Sequence, residues 1–183
     1  MLTSEISGSI PVLLDTHIWV WASVNPGKFK KSAARAIETA AAERRLFVSA
    51  ASVWEIALKA QKGELIVSGE LRAWLRDQRR YPGVRVLPMN GTLAIDSTLL
   101  PEWTRKSDKK PHKDPGDRFI VAEARRRNAV LITSDTLIID YARKGHVIVF
   151  DARINKDPLA DFPTLKLPRG TAAALLDEDR RDK

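Results

Sequence analysis

The chain has 183 residues, which is long enough for one well-buried core and too short for two ordinary domains. Its 31 lysine and arginine residues exceed its 23 aspartate and glutamate residues, and the net charge of +8 favours polyanionic partners such as nucleic acid. The absence of cysteine excludes disulfides, thiolate metal sites and a cysteine nucleophile.

The N-terminal residues contain no basic leader and no apolar run of the length that a secretion signal needs. Nowhere do about 18 apolar residues follow one another, which is the length of a membrane-spanning helix. The sequence therefore predicts a protein of the cytoplasm that has no membrane segment.

Short apolar runs alternate with amphipathic segments along most of the chain. Four or five β-prone apolar residues bounded by a charge or a turn predict a buried strand, and apolar residues three or four apart predict one face of a helix. The five predicted strands lie at residues 10–14, 46–48, 84–87, 129–133 and 147–150. The predicted helices lie at residues 16–21, 30–45, 53–60, 70–80, 90–100, 117–128 and 135–143.

This alternation predicts an α/β fold, in which a five-stranded parallel sheet is flanked by helices on both faces. Residues 103–116 interrupt the alternation, because they are rich in proline, glycine and lysine and have no apolar periodicity; they predict a basic loop. Beyond residue 151 prolines space out a polar segment without a further strand. We therefore expect one domain at residues 10–151 and a polar C-terminal extension at residues 152–183.

Four acidic residues fall near the strand ends where parallel α/β sheets bind ligands. Asp15 directly follows the first strand, and Asp135 directly follows the fourth. Glu55 lies in the helix after the second strand, and Asp117 is expected to open the helix before the fourth. Carboxylates gathered at one edge repel one another unless a cation neutralises them, so the group predicts a hard divalent metal such as Mg²⁺ or Mn²⁺. Each acid also has an ordinary alternative role, as a helix cap or a surface residue.

The basic loop lies beside this predicted site. Lys110, Lys113 and Arg118 are predicted to contact an RNA backbone, since cationic side chains match phosphates, although a run of charges is also typical of a solvated surface. Asp114 precedes a proline in the same loop, and we expect it to support the metal-binding acids or to structure the loop, rather than to bind the metal directly.

The histidines and tryptophans give weaker indications. His17 is expected to pack or to form a hydrogen bond at the start of the first helix, and His112 by itself is insufficient for a metal triad or a general base. Tryptophans within apolar segments at helical spacing are expected to lie in the core, or on a dimer surface, rather than to stack on bases. These are Trp19, Trp21, Trp54 and Trp74.

Four segments, LLDTHIWVWA, VSAASVWEIALKAQKGEL, HKDPGDRFIVAEA and LITSD, follow one another in an order that resembles the PIN-domain ribonucleases. The likeness is strongest to the VapC-type toxins of bacterial toxin–antitoxin pairs, and it spans about residues 12–151. It implies a metal-dependent endoribonuclease whose Mg²⁺ (or Mn²⁺) site is formed by Asp15, Glu55, Asp117 and Asp135. It also implies that the hydroxyl groups of Thr16, Thr133 and Ser134 bond a carboxylate or a water.

The same resemblance implies an RNA substrate cut to 5′-phosphate and 3′-hydroxyl ends, a homodimer and a cognate antitoxin. A non-catalytic RNA-binding or decoy module is disfavoured by the complete set of four acids. A phosphohydrolase that uses Asp15 as nucleophile is disfavoured because no second acid stands two residues further on. A DNA nuclease stays open, since such a metal site does not distinguish the two sugars.

Overall fold

The computed structural model describes residues 1–4, 6, 8–65, 70–79, 83–105 and 110–153. Within these residues the chain forms six strands, seven α-helices and one 3₁₀ turn at Pro26–Lys28. The strands are β1 (Leu2–Thr3), β2 (Val12–Leu14), β3 (Leu46–Ser49), β4 (Val84–Leu87), β5 (Val130–Thr133) and β6 (Ile148–Asp151). The helices are α1 (Thr16–Val24), α2 (Lys31–Ala42), α3 (Ala50–Gln61), α4 (Leu71–Arg79), α5 (Gly91–Thr98), α6 (Pro115–Arg126) and α7 (Thr136–Arg143).

The described strands form one parallel sheet in the order β1-β6-β5-β2-β3-β4. The predicted α/β fold is confirmed, with one strand more than the five expected. The additional strand β1 pairs with β6, where Leu2 lies opposite Val149. Because β1 has only two residues, its sequence carries no apolar run, and it exists only through pairing with a distant segment.

The central strand β2 is the point at which the order of the sheet reverses. Leu14 pairs with Val48 of β3 on one side and with Ile132 of β5 on the other. The chain leaves β2 toward β3 and β4, and later returns to place β5 and β6 on the opposite side. In parallel sheets such a reversal opens a crevice at the carboxyl ends of the strands. Asp15 follows β2 directly and therefore lies at this crevice.

Buried side chains form an apolar cluster on each face of the sheet. Trp19 and Trp74 pack together on one face, with ring centroids 6.2 Å apart. On the other face Trp103 stacks on Tyr141 at 4.4 Å, so this tryptophan also belongs to the core. Trp54 is not a core residue, because 46% of its surface is exposed, and the alternative of a dimer surface stays a prediction.

The helix α6 begins two residues earlier than predicted. Asp117 was expected to open it, but Asp114 is the N-cap, and the Asp114 carboxylate accepts a hydrogen bond from the Asp117 N–H at 3.2 Å. Pro115 occupies the first helical position, where its missing N–H costs no hydrogen bond. Asp114 thus caps this helix, and its support of the metal-binding acids stays a prediction.

The predicted basic loop contains ordered backbone pairing. Thr104 and Pro111 form an antiparallel bridge, and the His112 N–H donates to the Trp103 carbonyl at 2.7 Å. The Arg105 N–H donates to the Lys110 carbonyl at 3.0 Å. We call residues 103–105 and 110–112 the hairpin arm. The pairing escaped prediction because it involves three-residue stretches without apolar alternation.

The predicted C-terminal extension lies outside the described residues from residue 154 onward, so the domain boundary near residue 151 stays a prediction. Among the helices of the described ranges, none is long and apolar enough to cross a membrane.

Candidate active site

Asp15 is a buried carboxylate whose position is fixed by the turn between β2 and α1. It is the N-cap of α1, and its Oδ1 accepts from the Thr16 N–H at 2.6 Å. Its Oδ2 accepts a hydrogen bond from the hydroxyl of Thr133. Only 4% of the residue is exposed. The capping role and a role in a metal site are therefore compatible, since both need this carboxylate held in one orientation.

Thr133 links Asp15 to the turn that follows β5. Its hydroxyl accepts from the Asp135 N–H at 2.9 Å and donates to Asp15. Asp135 caps α7, where its Oδ1 accepts from the N–H groups of Leu137 at 2.6 Å and Ile138 at 3.1 Å. The pairing of β2 with β5 places Asp15 beside Thr133, so two acids that are 120 positions apart share one hydroxyl group.

His17 joins the same two turns, which its sequence position alone did not indicate. Its Nε2 accepts from the Ser134 N–H at 3.2 Å and lies 2.6 Å from the Ser134 hydroxyl oxygen. Because Nε2 is an acceptor, the ring proton of the neutral imidazole is on Nδ1, which faces Oδ2 of Asp15 at 3.5 Å. Trp21 packs edge-on against the ring at 5.0 Å. The predicted hydroxyl of Ser134 therefore contacts a histidine rather than a carboxylate.

Glu55 is held from two sides on α3. The Thr16 hydroxyl donates to its Oε2 at 2.6 Å, and Lys59 forms an ion pair with its Oε1 at 2.8 Å. The first turn of α6 lies close to it, because a methyl group added at Gly116 would stand 3.7 Å from Oε2. Glu55 thus lies between α1 and α6, beside the turn that Asp15 caps.

Asp117 is an acid whose surroundings favour its protonated form. Burial raises its pKa to about 7; the hydrogen bond from His112 opposes this, and the negative charges of Asp15, Asp135 and Asp114 add to it. His112 Nε2 lies 2.7 Å from Oδ2 of Asp117. An ionised carboxylate only accepts hydrogen bonds, so Nε2 carries the proton in that state.

His112 is a second site residue that the sequence did not identify. Its ring stacks on Trp103 at 4.3 Å, and Trp103 in turn stacks on Tyr141 of α7. This stack attaches the base of the hairpin arm to the core, while the other side of His112 holds Asp117. A single histidine in a basic loop gave no signal of either contact.

The predicted RNA-contacting cations differ in their positions. Lys110 and Lys113 line a cavity of about 490 Å³ beside the hairpin arm. Arg118 instead donates to the carbonyls of Ser97 at 2.9 Å, His112 at 3.3 Å and Thr98 at 3.3 Å. Arg118 thus ties the hairpin arm to the end of α5, which is a structural role that its place in a charged run concealed.

The four acids lie around one crevice, but they are not arranged as the complete coordination shell of a metal ion. The charges of Asp15 and Asp135 both act on Asp117, and Glu55 borders the same helix start. Across the described residues, no group of three or more histidine, aspartate and glutamate side chains is already placed to hold one metal ion. All four predicted acids nevertheless lie at or beside the reversal point of the sheet.

A parallel α/β sheet with acids at its central crevice agrees with the sequence comparison, in which a family model described as PIN domain matches residues 12–144. This chain belongs to the PIN-domain family. Within that family it is similar to Ribonuclease VapC22 of Mycobacterium tuberculosis (strain ATCC 25618 / H37Rv). The two are 30% identical over 139 residues, which cover 76% of this chain and 98% of the relative.

Solved structures with the same fold include VapBC2 and FitAcB. VapBC2 from Rickettsia felis, bound to a DNA fragment from its promoter, has a TM-score of 0.56 and 17% identity, and the match covers 78% of this chain and 99% of that one. FitAcB from Neisseria gonorrhoeae has a TM-score of 0.52 and 22% identity, with coverage of 76% and 96%. At these identities the structural comparison shows the fold alone. The resemblance to the PIN-domain family noted in the sequence is confirmed by the family model and by the 30% identical relative.

Proposed function

We propose that this chain is a metal-dependent endoribonuclease, the toxin component of a toxin–antitoxin pair. The observation that carries the proposal is the gathering of Asp15, Asp117 and Asp135 at the reversal point of a PIN-domain sheet, where each acid is buried or half-buried. The named activity of the similar VapC22 protein supports a ribonuclease, and the net charge of +8 supports a polyanionic substrate.

A hard divalent cation fits the donors present. Carboxylate oxygens are the ligands that Mg²⁺ and Mn²⁺ prefer. Burial raises the pKa of Asp117, and the negative charges of Asp15, Asp135 and Asp114, which a cation would neutralise, raise it further. Mg²⁺ commonly retains several waters and uses only one or two carboxylates. We therefore propose Mg²⁺ for this site, with Mn²⁺ as the alternative.

We assign the metal to Asp15, Asp117 and Asp135, and to Glu55 the orientation of the attacking water or the completion of a second ion's shell. When bound, a divalent ion supplies positive charge against the phosphodiester and makes a water acidic enough to attack at neutral pH. The protein's own contribution is to fix the oxygens: Thr133 and Thr16 hold Asp15 from two sides, and His112 holds Asp117.

The same comparisons support a proposal about the partners of this chain. Because the structural relatives are VapBC and FitAcB complexes, we propose that a cognate antitoxin binds this chain. A homodimer and action on RNA in the cytoplasm belong to the same proposal.

The test is cleavage of a mixed-sequence RNA oligonucleotide by the purified protein with Mg²⁺, with Mn²⁺ or with EDTA. We expect cleavage with either metal, none with EDTA, and 5′-phosphate ends on the products. Asp15→Asn should reduce the rate by at least about 100-fold, because a carboxylate replaced by an amide loses several kcal/mol of interaction with a cation. Asp96→Asn, a surface acid paired with Arg126, is the matched control.

Cleavage that is unaffected by EDTA, or an Asp15→Asn variant as active as the Asp96→Asn control, would contradict the proposal. If a DNA oligonucleotide of the same sequence were cut as fast as the RNA, the proposal of a ribonuclease would give way to that of a nuclease that acts on DNA.

A further inference from the structure

The cavity beside the hairpin arm adjoins the acidic crevice and has a different charge. It has a volume of about 490 Å³, within the range of small-ligand pockets. Its lining residues are Arg105, Lys110, Pro111, His112, Lys113, Asp114 and Leu137. The cationic groups of the lining outnumber its one carboxylate, which already accepts the hydrogen bond that caps α6. An anionic group is the ligand that this lining favours.

The position of the cavity connects it to the reacting groups at two points. His112, which lines the cavity, contacts Asp117 at 2.7 Å, and Leu137, which also lines it, donates its N–H to Asp135 at 2.6 Å. A ligand in the cavity is therefore adjacent to two of the proposed metal-binding acids.

The arm is built as a fixed wall. The His112 N–H bonds to the Trp103 carbonyl, and the Trp103 ring is buried between His112 and Tyr141. Because only 4% of Trp103 is exposed, it offers no platform on which a base could stack. Recognition at the cavity is thus left to the cations and to the small apolar surface of Pro111 and Leu137.

We propose that this cavity is a subsite for the nucleotide next to the scissile phosphate, held through its backbone phosphate by Lys110, Lys113 and Arg105. The inference rests on the proposed ribonuclease function and adds where the neighbouring nucleotide of the RNA binds. Contact through phosphate makes the subsite tolerant of base identity, so sequence preference must arise elsewhere along the strand.

The test uses the full chain carrying Asp15→Asn, which binds without cutting, and a short single-stranded RNA in EDTA at several salt concentrations. The variant Lys110→Gln/Lys113→Gln should weaken binding about tenfold or more, and should reduce the slope of log affinity against log salt by about 1.4, since each phosphate contact contributes about 0.7. The control Lys62→Gln/Lys144→Gln removes the same charge from exposed helix ends, α3 and α7, and should leave both quantities unchanged.

A second variant separates the cavity from general surface charge. Leu137→Trp fills the space without changing the charge, and its backbone bond to Asp135 does not depend on the side chain. We expect weaker RNA binding with an unchanged salt slope and, with Asp15 restored, a KM that rises more than kcat falls. Thermal unfolding of each variant verifies that the fold is retained.

The subsite would be overturned if the cavity variant Lys110→Gln/Lys113→Gln and the control variant weakened RNA binding equally. It would also be overturned if neither the cavity variant nor Leu137→Trp changed the affinity for RNA. The same conclusion would follow if the cavity variant weakened binding of a protein partner and left RNA binding intact. These outcomes are distinct from failure of the proposed function, in which the wild-type chain does not cut RNA with Mg²⁺ or Mn²⁺ at all.

Discussion

The two sides of the acidic crevice are held in different ways. On the strand side, Asp15 and Asp135 follow neighbouring strands and share the hydroxyl of Thr133. Asp15 also receives the Thr16 N–H and faces His17, so several donors determine its orientation. On the helix side, Asp117 lies on α6, and within the described residues its carboxylate accepts a hydrogen bond from His112.

The two carboxylates therefore differ in support: several hydrogen-bond donors orient Asp15, whereas His112 orients Asp117. Removal of a donor that serves one acid alone should disturb an acid with several donors less than an acid with a single donor. The helix side should therefore be the more sensitive side to loss of one histidine, although it is farther from the centre of the sheet. The following predictions test that asymmetry.

Thr133→Val should have the largest effect, because it damages the strand side at the group that both acids share. The buried Oδ2 of Asp15 and the Asp135 N–H each lose a partner, which costs about 2 kcal/mol in the free energy of unfolding. Cleavage should fall about 100-fold, as expected for a residue that supports metal-binding groups. Urea unfolding and the RNA cleavage rate measure the two effects. Thr98→Val, at an exposed threonine, should match wild type, and a Thr133→Val protein as active as that control would contradict the shared role.

His112→Ala should be the more damaging of the two histidine substitutions. It removes the donor to Asp117 and the ring that stacks on Trp103, and we expect metal affinity to fall about 10- to 100-fold. Titration with Mn²⁺, followed by electron paramagnetic resonance, measures this directly. His112→Asn keeps a donor and should recover part of the loss. His146→Ala, at a histidine that packs on Tyr141 away from the acids, is the matched control.

His17→Ala should reduce metal affinity less than His112→Ala does, by about tenfold at most. Thr16 and Thr133 still hold Asp15 in this variant, while the contact with Ser134 is lost. The same Mn²⁺ titration applies. If His17→Ala weakened binding more than His112→Ala, the proposed redundancy of the strand side would be wrong.

The smallest effect concerns the stability of the metal-free protein. Burial, with the nearby acids, raises the pKa of Asp117 to about 7, well above its value of about 4 in an unfolded chain. The folded state thus binds this proton more tightly, and the corresponding stability is present below about pH 4 and is lost as pH rises to about 7. Asp117→Asn should flatten that decline and raise Tm by about 3–6 °C at pH 8.

Calorimetry in EDTA at pH 5 and pH 8 checks this prediction. The difference in Tm between Asp117→Asn and wild type should be larger at pH 8 than at pH 5. Added Mg²⁺ should stabilise wild type more than the variant, because binding to the folded state alone raises its stability. An Asp117→Asn protein that is less stable than wild type at pH 8 without metal would contradict the repulsion among the acids.

The sequence by itself determined the parallel α/β fold and the placement of the four acids near strand ends. Both depend on local patterns: apolar runs such as residues 10–14 mark strands, and an acid directly after a run lies at the sheet edge wherever that strand pairs. The family resemblance added the roles of these acids, and the sheet order places them at one crevice.

Only the tertiary structure decided which groups hold the acids in place. The bonds of Thr133 to Asp15 and of Thr16 to Glu55 join residues 118 and 39 positions apart, and no local pattern records such pairs. The same applies to β1, which exists through β6, and to the two histidines, whose importance comes from what their rings contact. Side-chain partners follow from how elements pack, and packing depends on the whole chain at once.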